Sequence, residues 1–226
     1  MARPGLLDMT LTRLLTSKWT KVIVFATCLL PLASLVWRAL HNGLTANPVE
    51  FITHATGDWT IRFLIITLTI TPLRKITRVP AFIRFRRMLG LFAFFYVCLH
   101  FTTYIWLDKF FSLPEMWKDI HKRRFITVGF AAFVLMIPLA VTSTAGAIRW
   151  LGGRRWQALH RLIYVSAVLG VIHYYWLVKS DVRKPLEYAW MVGVLLVFRV
   201  GAWIVGRGNN SGASSSSSLP VTAESG

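Results

Sequence analysis

Long apolar runs broken by short polar ones order the chain. A helix crossing about 30 Å of hydrocarbon needs roughly 20 mostly apolar residues. Six stretches approach that length: Lys21–Leu40, Trp59–Leu73, Met88–Leu107, Phe125–Ile148, Trp156–Val178 and Leu186–Val205. The second is short and carries Arg62 near its start, but Ile61–Ile70 is almost unbroken Ile, Leu, Phe and Thr. Pro31, Pro72 and Pro138 lie within runs, which bundled membrane helices tolerate when neighbours satisfy the freed carbonyls. The first run follows a basic N-terminus, as in a signal peptide, yet it is longer than a typical h-region and Trp37-Arg38 follows without an A-x-A site; it reads as a retained anchor. Tryptophans at run ends (Trp19, Trp37, Trp59, Trp106, Trp150, Trp156, Trp176, Trp203) form the pattern of an interfacial belt. The expected fold is all-α, a six-helix transmembrane bundle over residues 19–206. Residues 1–18 precede it, and a serine-rich tail, 207–226, reads as disordered.

Composition agrees: 55% of residues are hydrophobic, 15% charged, and the mean hydropathy is +0.54. A soluble domain carries about a quarter charged residues, so a soluble enzyme and a disordered chain are both excluded. The charge balance, 26 Lys+Arg against 9 Asp+Glu, gives +17. These charges are split among short loops rather than gathered in one patch, which argues against nucleic acid. Basic residues gather at the N-terminus (Arg3, Arg13, Lys18, Lys21), and acid-free basic clusters lie after the second run (Arg74, Lys75, Arg78, Arg84, Arg86, Arg87) and after the fourth (Arg149, Arg154, Arg155). The positive-inside rule then places both termini in the cytoplasm, against the opposing weight of Lys122-Arg123-Arg124 in an outer loop. Cys28 and Cys98 lie in apolar runs with no CxxC or CxxCH, so disulfide, zinc and covalent haem attachment lack support.

Ionisable side chains at membrane depth are functional candidates by default. No acid falls well inside a run, which also counts against a proton-coupled transporter; three histidines do: His100, His160 and His173. His41, His54 and His121 fall in outer loops and read as surface residues. His100 lies about 12 Å below Asp108 and His173 about 9 Å below Lys179 at 1.5 Å per residue. Two imidazoles from different helices thus reach one level in the outer half of the bilayer, as the axial ligands of a haem iron between helices require; the alternative is that each merely hydrogen-bonds a neighbouring helix, and the matched depth favours haem. His160, 13 residues before His173, lies about 20 Å away along the axis and about 140° around it. Either it ligates a second haem with an unusual or missing partner, or it hydrogen-bonds a propionate or quinone. Arg86, Arg87, Arg155 and Trp156, where the third and fifth runs open, can contact a propionate, a flavin phosphate or a quinone; topology and lipid contact alone are the favoured account of the arginines.

Several segments in order carry a family resemblance over roughly residues 20–206: Gly43-Leu44 with Asn47-Pro48; Thr71-Pro72-Leu73; Arg84-x-Arg86-Arg87-x-Leu89-Gly90-Leu91; Leu99-His100; Thr142-Ser143; Trp156-x-x-Leu159-His160-x-x-x-Tyr164; and His173-Tyr174-x-Trp176. Together they resemble the MsrQ (YedZ) family, haem-binding membrane subunits of a periplasmic methionine sulfoxide reductase system within the ferric-reductase-like transmembrane domains. The resemblance implies b-type haem held by histidines matching His100, His160 and His173, an association with FMN, and location in the bacterial inner membrane. It also implies electron delivery from the quinone pool or a cytosolic flavin reductase to a periplasmic molybdopterin partner that reduces methionine sulfoxide. Oxidase relatives carry two histidines on each haem helix; here Arg86 or Arg87 occupies the cytoplasmic-side position on the third run. A stand-alone haem reductase acting on metals or small molecules has the same fold and is the alternative expectation.

Overall fold

The structure is a computed structural model that describes residues 12–178 and 180–215. Its described residues are helical, without strands. Among the described residues, after a short helical stretch at 12–16, the α-helices follow in order: α1 (Lys18–Leu40), α2 (Pro48–Thr77), α3 (Ile83–Thr103), α4 (Leu113–Lys122), α5 (Arg124–Val141), α6 (Ala145–Leu151), α7 (Gly153–Leu159), α8 (Leu162–Leu177) and α9 (Arg183–Ser215). Four helical stretches among the described residues are long and apolar enough to cross a membrane: Lys18–Leu40, Pro80–Asp108, Arg124–Val141 and Arg183–Val205. The second of these continues α3 through a wide π-type turn at Tyr104–Asp108. The other two expected runs differ for separate reasons. α8 has 16 residues, a rise of about 24 Å, while α2 has 30 residues but carries charged groups along its length. The expected tail from residue 207 is helical in α9 as far as Ser215, and residues 216–226, like the first 11, lie outside the described residues.

Two start signals explain why α2 begins well before Trp59, where hydropathy alone would start it. The Asn47 side chain accepts the Glu50 backbone N–H at 3.3 Å, and Pro48 occupies the first turn, where its missing N–H costs nothing. The extension brings Thr53, His54, Gly57 and Asp58 onto the helix. Its packing partner is α3, while α5 packs along α8, so the bundle centre is built from two intimate helix pairs. An aromatic column locks the first pair, with Phe63 of α2 stacked at 5.8 Å on Phe92 and at 5.1 Å on Tyr96 of α3.

α1 is held differently. The Tyr96 hydroxyl donates to Cys28 O at 2.9 Å and accepts Leu32 N–H at 3.2 Å. It stands between the two members of what would be one helical rung, beside Pro31, where the ladder is already interrupted. A polar side chain from a neighbouring helix thus satisfies backbone groups that lipid cannot.

Candidate functional site

Each helix pair presents one histidine on a similar support. On α3, His100 Nδ1 donates to the carbonyl of Thr53 on α2 at 2.9 Å; on α8, His173 Nδ1 donates to the carbonyl of Phe125 on α5 at 2.7 Å. A carbonyl can only accept, so both Nδ1 atoms carry the proton and both Nε2 atoms keep a free lone pair. Four residues beyond each accepting carbonyl stands a glycine: Gly57 after Thr53, and Gly129 after Phe125. The spacing has a geometric cause. A helical carbonyl points along the axis toward residue i+4, so a ring reaching it from outside passes over that residue. A Cβ at Gly57 would lie 3.1 Å from His100 Nδ1, and one at Gly129 would lie 2.5 Å from His173 Nδ1. Both glycines are cradles for an imidazole.

The two rings face one another with centroids 6.1 Å apart and planes at 79°. An ion bound by both Nε2 atoms at the usual metal–imidazole distance of about 2.0–2.1 Å leaves the ring centres roughly 6 Å apart. Around them lies a mainly apolar cavity of about 320 Å³, within the size range of cofactor pockets. Phe101, Phe130, Phe133 and Met136 are in its wall, and Gly170 opens it on the α8 side, with no atom within 4 Å of where its Cβ would be. Ser166 Oγ lines the same cavity, buried and without a hydrogen-bond partner among the described residues. A flat apolar macrocycle with an imidazole-binding metal fits this donor set, the glycine cradles and the orphaned hydroxyl.

His160 stands elsewhere and does not line the cavity. It caps α7, at a break between α7 and α8 that interrupts the expected fifth run at His160-Arg161. The Thr142 hydroxyl donates to Pro138 O at 2.6 Å, so His160 donates its Nε2–H to Thr142 Oγ1 at 3.0 Å. Trp156 stacks on His160 at 3.9 Å and donates its indole N–H to Thr142 O at 2.9 Å. Arg86 is half-buried within electrostatic reach of His160, while Arg87 and Arg155 are exposed. None of Arg86, Arg87, Arg155 and Trp156 borders the cavity between His100 and His173.

Three features of the cavity had not been singled out from the sequence. The glycine cradles are one. His54 is another: it is exposed, as expected, but it also borders the cavity, whereas His41 and His121 bond to Trp37 O and Trp117 O on their own helices. The third is Asp58, placed by hydropathy in an outer loop but found within α2, one residue past Gly57, and on the cavity wall. Arg62 Nη2 donates to Asp58 Oδ2 at 2.9 Å and Arg62 Nε donates to the Tyr188 hydroxyl at 3.0 Å. The Tyr188 hydroxyl in turn donates to Asp58 Oδ1 at 3.2 Å. An acid is therefore present inside the helical bundle, neutralised by a cation one turn away and by a hydroxyl from α9.

The family model of the ferric reductase like transmembrane component matches residues 56–171. The chain is 55% identical over 199 residues to the "Protein-methionine-sulfoxide reductase heme-binding subunit MsrQ" of Herminiimonas arsenicoxydans, covering 87% of this chain and 91% of that one. It is 51% identical over 180 residues to the protein of the same name in Rhodospirillum rubrum, covering 80% and 86%. With the Bordetella pertussis protein of that name it shares 49% over 190 residues, covering 83% and 92%.

Proposed function

The chain belongs to the MsrQ family of the ferric-reductase-like transmembrane components, and from that premise we propose that it is the b-type cytochrome subunit of a methionine sulfoxide reductase system. The observation that carries this reading is the facing pair His100 and His173: both Nδ1 atoms are occupied by backbone carbonyls, both Nε2 atoms are free, and the rings are 6.1 Å apart across an apolar cavity. One haem b is held there, and when bound it supplies one-electron carriage across the outer half of the membrane. The chain's own part is to hold the two imidazoles in one tautomer, to exclude water with the phenylalanine wall, and to keep the site close to the outer face. The donor is a quinol or a cytosolic flavin reductase. The acceptor is a periplasmic molybdopterin reductase that repairs oxidised proteins of the envelope.

The six-span arrangement in the inner membrane, with cytoplasmic termini, belongs to this reading and rests on the basic clusters of the first and second inner loops. His160, Arg86, Arg87, Arg155 and Trp156 then face the cytoplasmic side, where they contact the incoming electron carrier, a quinone head group or FMN. The Nε2–H bond from His160 to Thr142 supports this contact role over iron ligation, since ligation through Nε2 would break it.

A reduced-minus-oxidised optical spectrum with the haem-to-protein ratio tests the reading. A b-type spectrum that is lost in His100→Ala and in His173→Ala is the expected result. Stoichiometric haem retained in both variants would overturn the ligand assignment. An unchanged ratio in His160→Ala is expected, and a halved one would restore a second haem. Reoxidation by a purified periplasmic partner rather than by ferric chelates separates the subunit from a stand-alone reductase.

A further inference from the structure

Resting on the haem reading above, we propose that Arg123 anchors a haem propionate at the outer mouth of the cavity. Among the described residues that line the cavity, Arg123 alone is a lysine or arginine. A haem b brings two carboxylates into a wall that is otherwise mainly apolar, and an uncompensated carboxylate in such surroundings is expensive. The cavity runs outward from Ser166 and Met136 to the residues of α4 and to Arg123. Its outer end is thus where a carboxylate meets both water and a cation.

The guanidinium is prepared for such a contact. Arg123 Nε pairs with Asp119 Oδ1 at 3.3 Å, which leaves both Nη groups for a second, forked interaction. Asp119 is not spent on Arg123 alone: its other oxygen takes Lys109 Nζ at 2.8 Å, and Lys109 also reaches the half-exposed Asp108 at 3.4 Å. Asp119 therefore aims the guanidinium without fully neutralising it. Arg123 also stands two residues before Phe125, whose carbonyl holds His173, and its own carbonyl accepts Ile126 N–H at 2.9 Å. The anchor and the ligand support share one rigid turn.

This role accounts for a feature that topology left over. Lys122-Arg123-Arg124 is a basic cluster on the side where the positive-inside rule disfavours one. A guanidinium kept there against the rule has a use in the site.

Haem transfer from detergent-solubilised protein to apomyoglobin, together with the haem midpoint potential, tests the proposal in Arg123→Gln, Arg123→Lys and Asp119→Asn. Arg123→Gln is expected to keep a six-coordinate b-type spectrum but to lose haem about tenfold faster, the factor that one charge-assisted hydrogen bond of about 1.4 kcal/mol is worth. Its midpoint should fall, because a cation near the iron favours the reduced form. Arg123→Lys should keep the potential near the wild-type value while losing the forked contact, and Asp119→Asn should move the potential upward. Wild-type transfer rate and potential in both Arg123 variants would overturn the anchor while leaving the haem reading intact. Potentials that fall together in Arg123→Gln and Asp119→Asn would also overturn it, by showing a purely structural ion pair. Wild-type protein without haem would overturn the earlier reading and the anchor with it.

Discussion

The imidazole of His173 lies so close over Gly129 that a β-carbon at that position would stand 2.5 Å from its Nδ1. No flexible side-chain end is available to yield: the ring is fixed by its bond to Phe125 O, and the Cβ would be fixed by the helix. At Gly57 the corresponding distance to His100 Nδ1 is 3.1 Å, which a shift of a few tenths of an ångström relieves. Gly129→Ala should therefore destabilise the protein by about 1–3 kcal/mol, the usual range for overpacking, and abolish the haem spectrum. Gly57→Ala should keep most of it. Thermal melts in detergent and the haem-to-protein ratio measure both, and equal effects at the two glycines would contradict the geometry.

How much of this site the sequence disclosed follows from what hydropathy registers. His100 and His173 stand out because an imidazole in an apolar run is conspicuous and helical rise assigns it a depth. The glycines are silent in the same scan, since a glycine in a membrane helix has many uses. Their signal was a repeated spacing: the accepting carbonyl precedes its histidine by 47 residues in one pair and by 48 in the other, with a glycine four residues after each carbonyl. Without knowing which helices pair, that coincidence has no meaning. Asp58 was missed for the opposite reason. Its charge reads as a loop signal, whereas in the fold Arg62 and Tyr188 compensate it and the cap at Asn47 carries the helix past it. The angle of about 140° between His160 and His173 assumes one unbroken helix, and the helix break at His160-Arg161 was not legible from residue type.

The Asp58–Arg62 pair joins α2 to α9 through Tyr188. Removing one partner of a well-buried pair costs about 3–5 kcal/mol, because the other charge is left uncompensated. Here the Arg62 side chain is 40% exposed against 17% for Asp58, so the penalty should fall below that range and be asymmetric. Arg62→Gln, which strands the more buried carboxylate, should lower stability more than Asp58→Asn does. The double variant should be less damaging than the sum of the two. A double-mutant cycle on unfolding in detergent measures this, and strict additivity would show that the pair contributes nothing.

Outside the spans, the knot around Asp119 makes a pH prediction. Burial pushes the Asp119 carboxyl up, but its hydrogen bond with Lys109 and the charge of Arg123 outweigh that, so it titrates below the ordinary 3.8. Its contribution to stability is present above that value and is lost as pH falls through the lowered one. For Lys109 the hydrogen bond with Asp119 dominates over burial and raises the ammonium above 10.5, so its contribution is present below 10.5 and is lost as pH rises through the higher value. Protection of α4 amides in hydrogen exchange, corrected for intrinsic rates, should be flat between these limits and fall at both ends. In Asp119→Asn the acid-side fall should vanish, and its persistence there would remove Asp119 as the cause.

Tyr96 holds α1 through two hydrogen bonds, yet its hydroxyl should be cheap to remove. In Tyr96→Phe, Cys28 O and Leu32 N–H lose the inserted hydroxyl, but they are the two ends of one helical rung and can bond directly once it is gone. Polar contacts between membrane helices average about 0.6 kcal/mol, and this one should not exceed that. The ring is another matter, because it stacks on Phe63 at 5.1 Å and is almost wholly buried. Tyr96→Ala should cost about 3–5 kcal/mol, as large-to-small core changes with an aromatic do. Comparable losses for Phe and Ala in detergent unfolding would mean that α1 cannot close its own rung, and that the hydroxyl, rather than the ring, holds the helix in place.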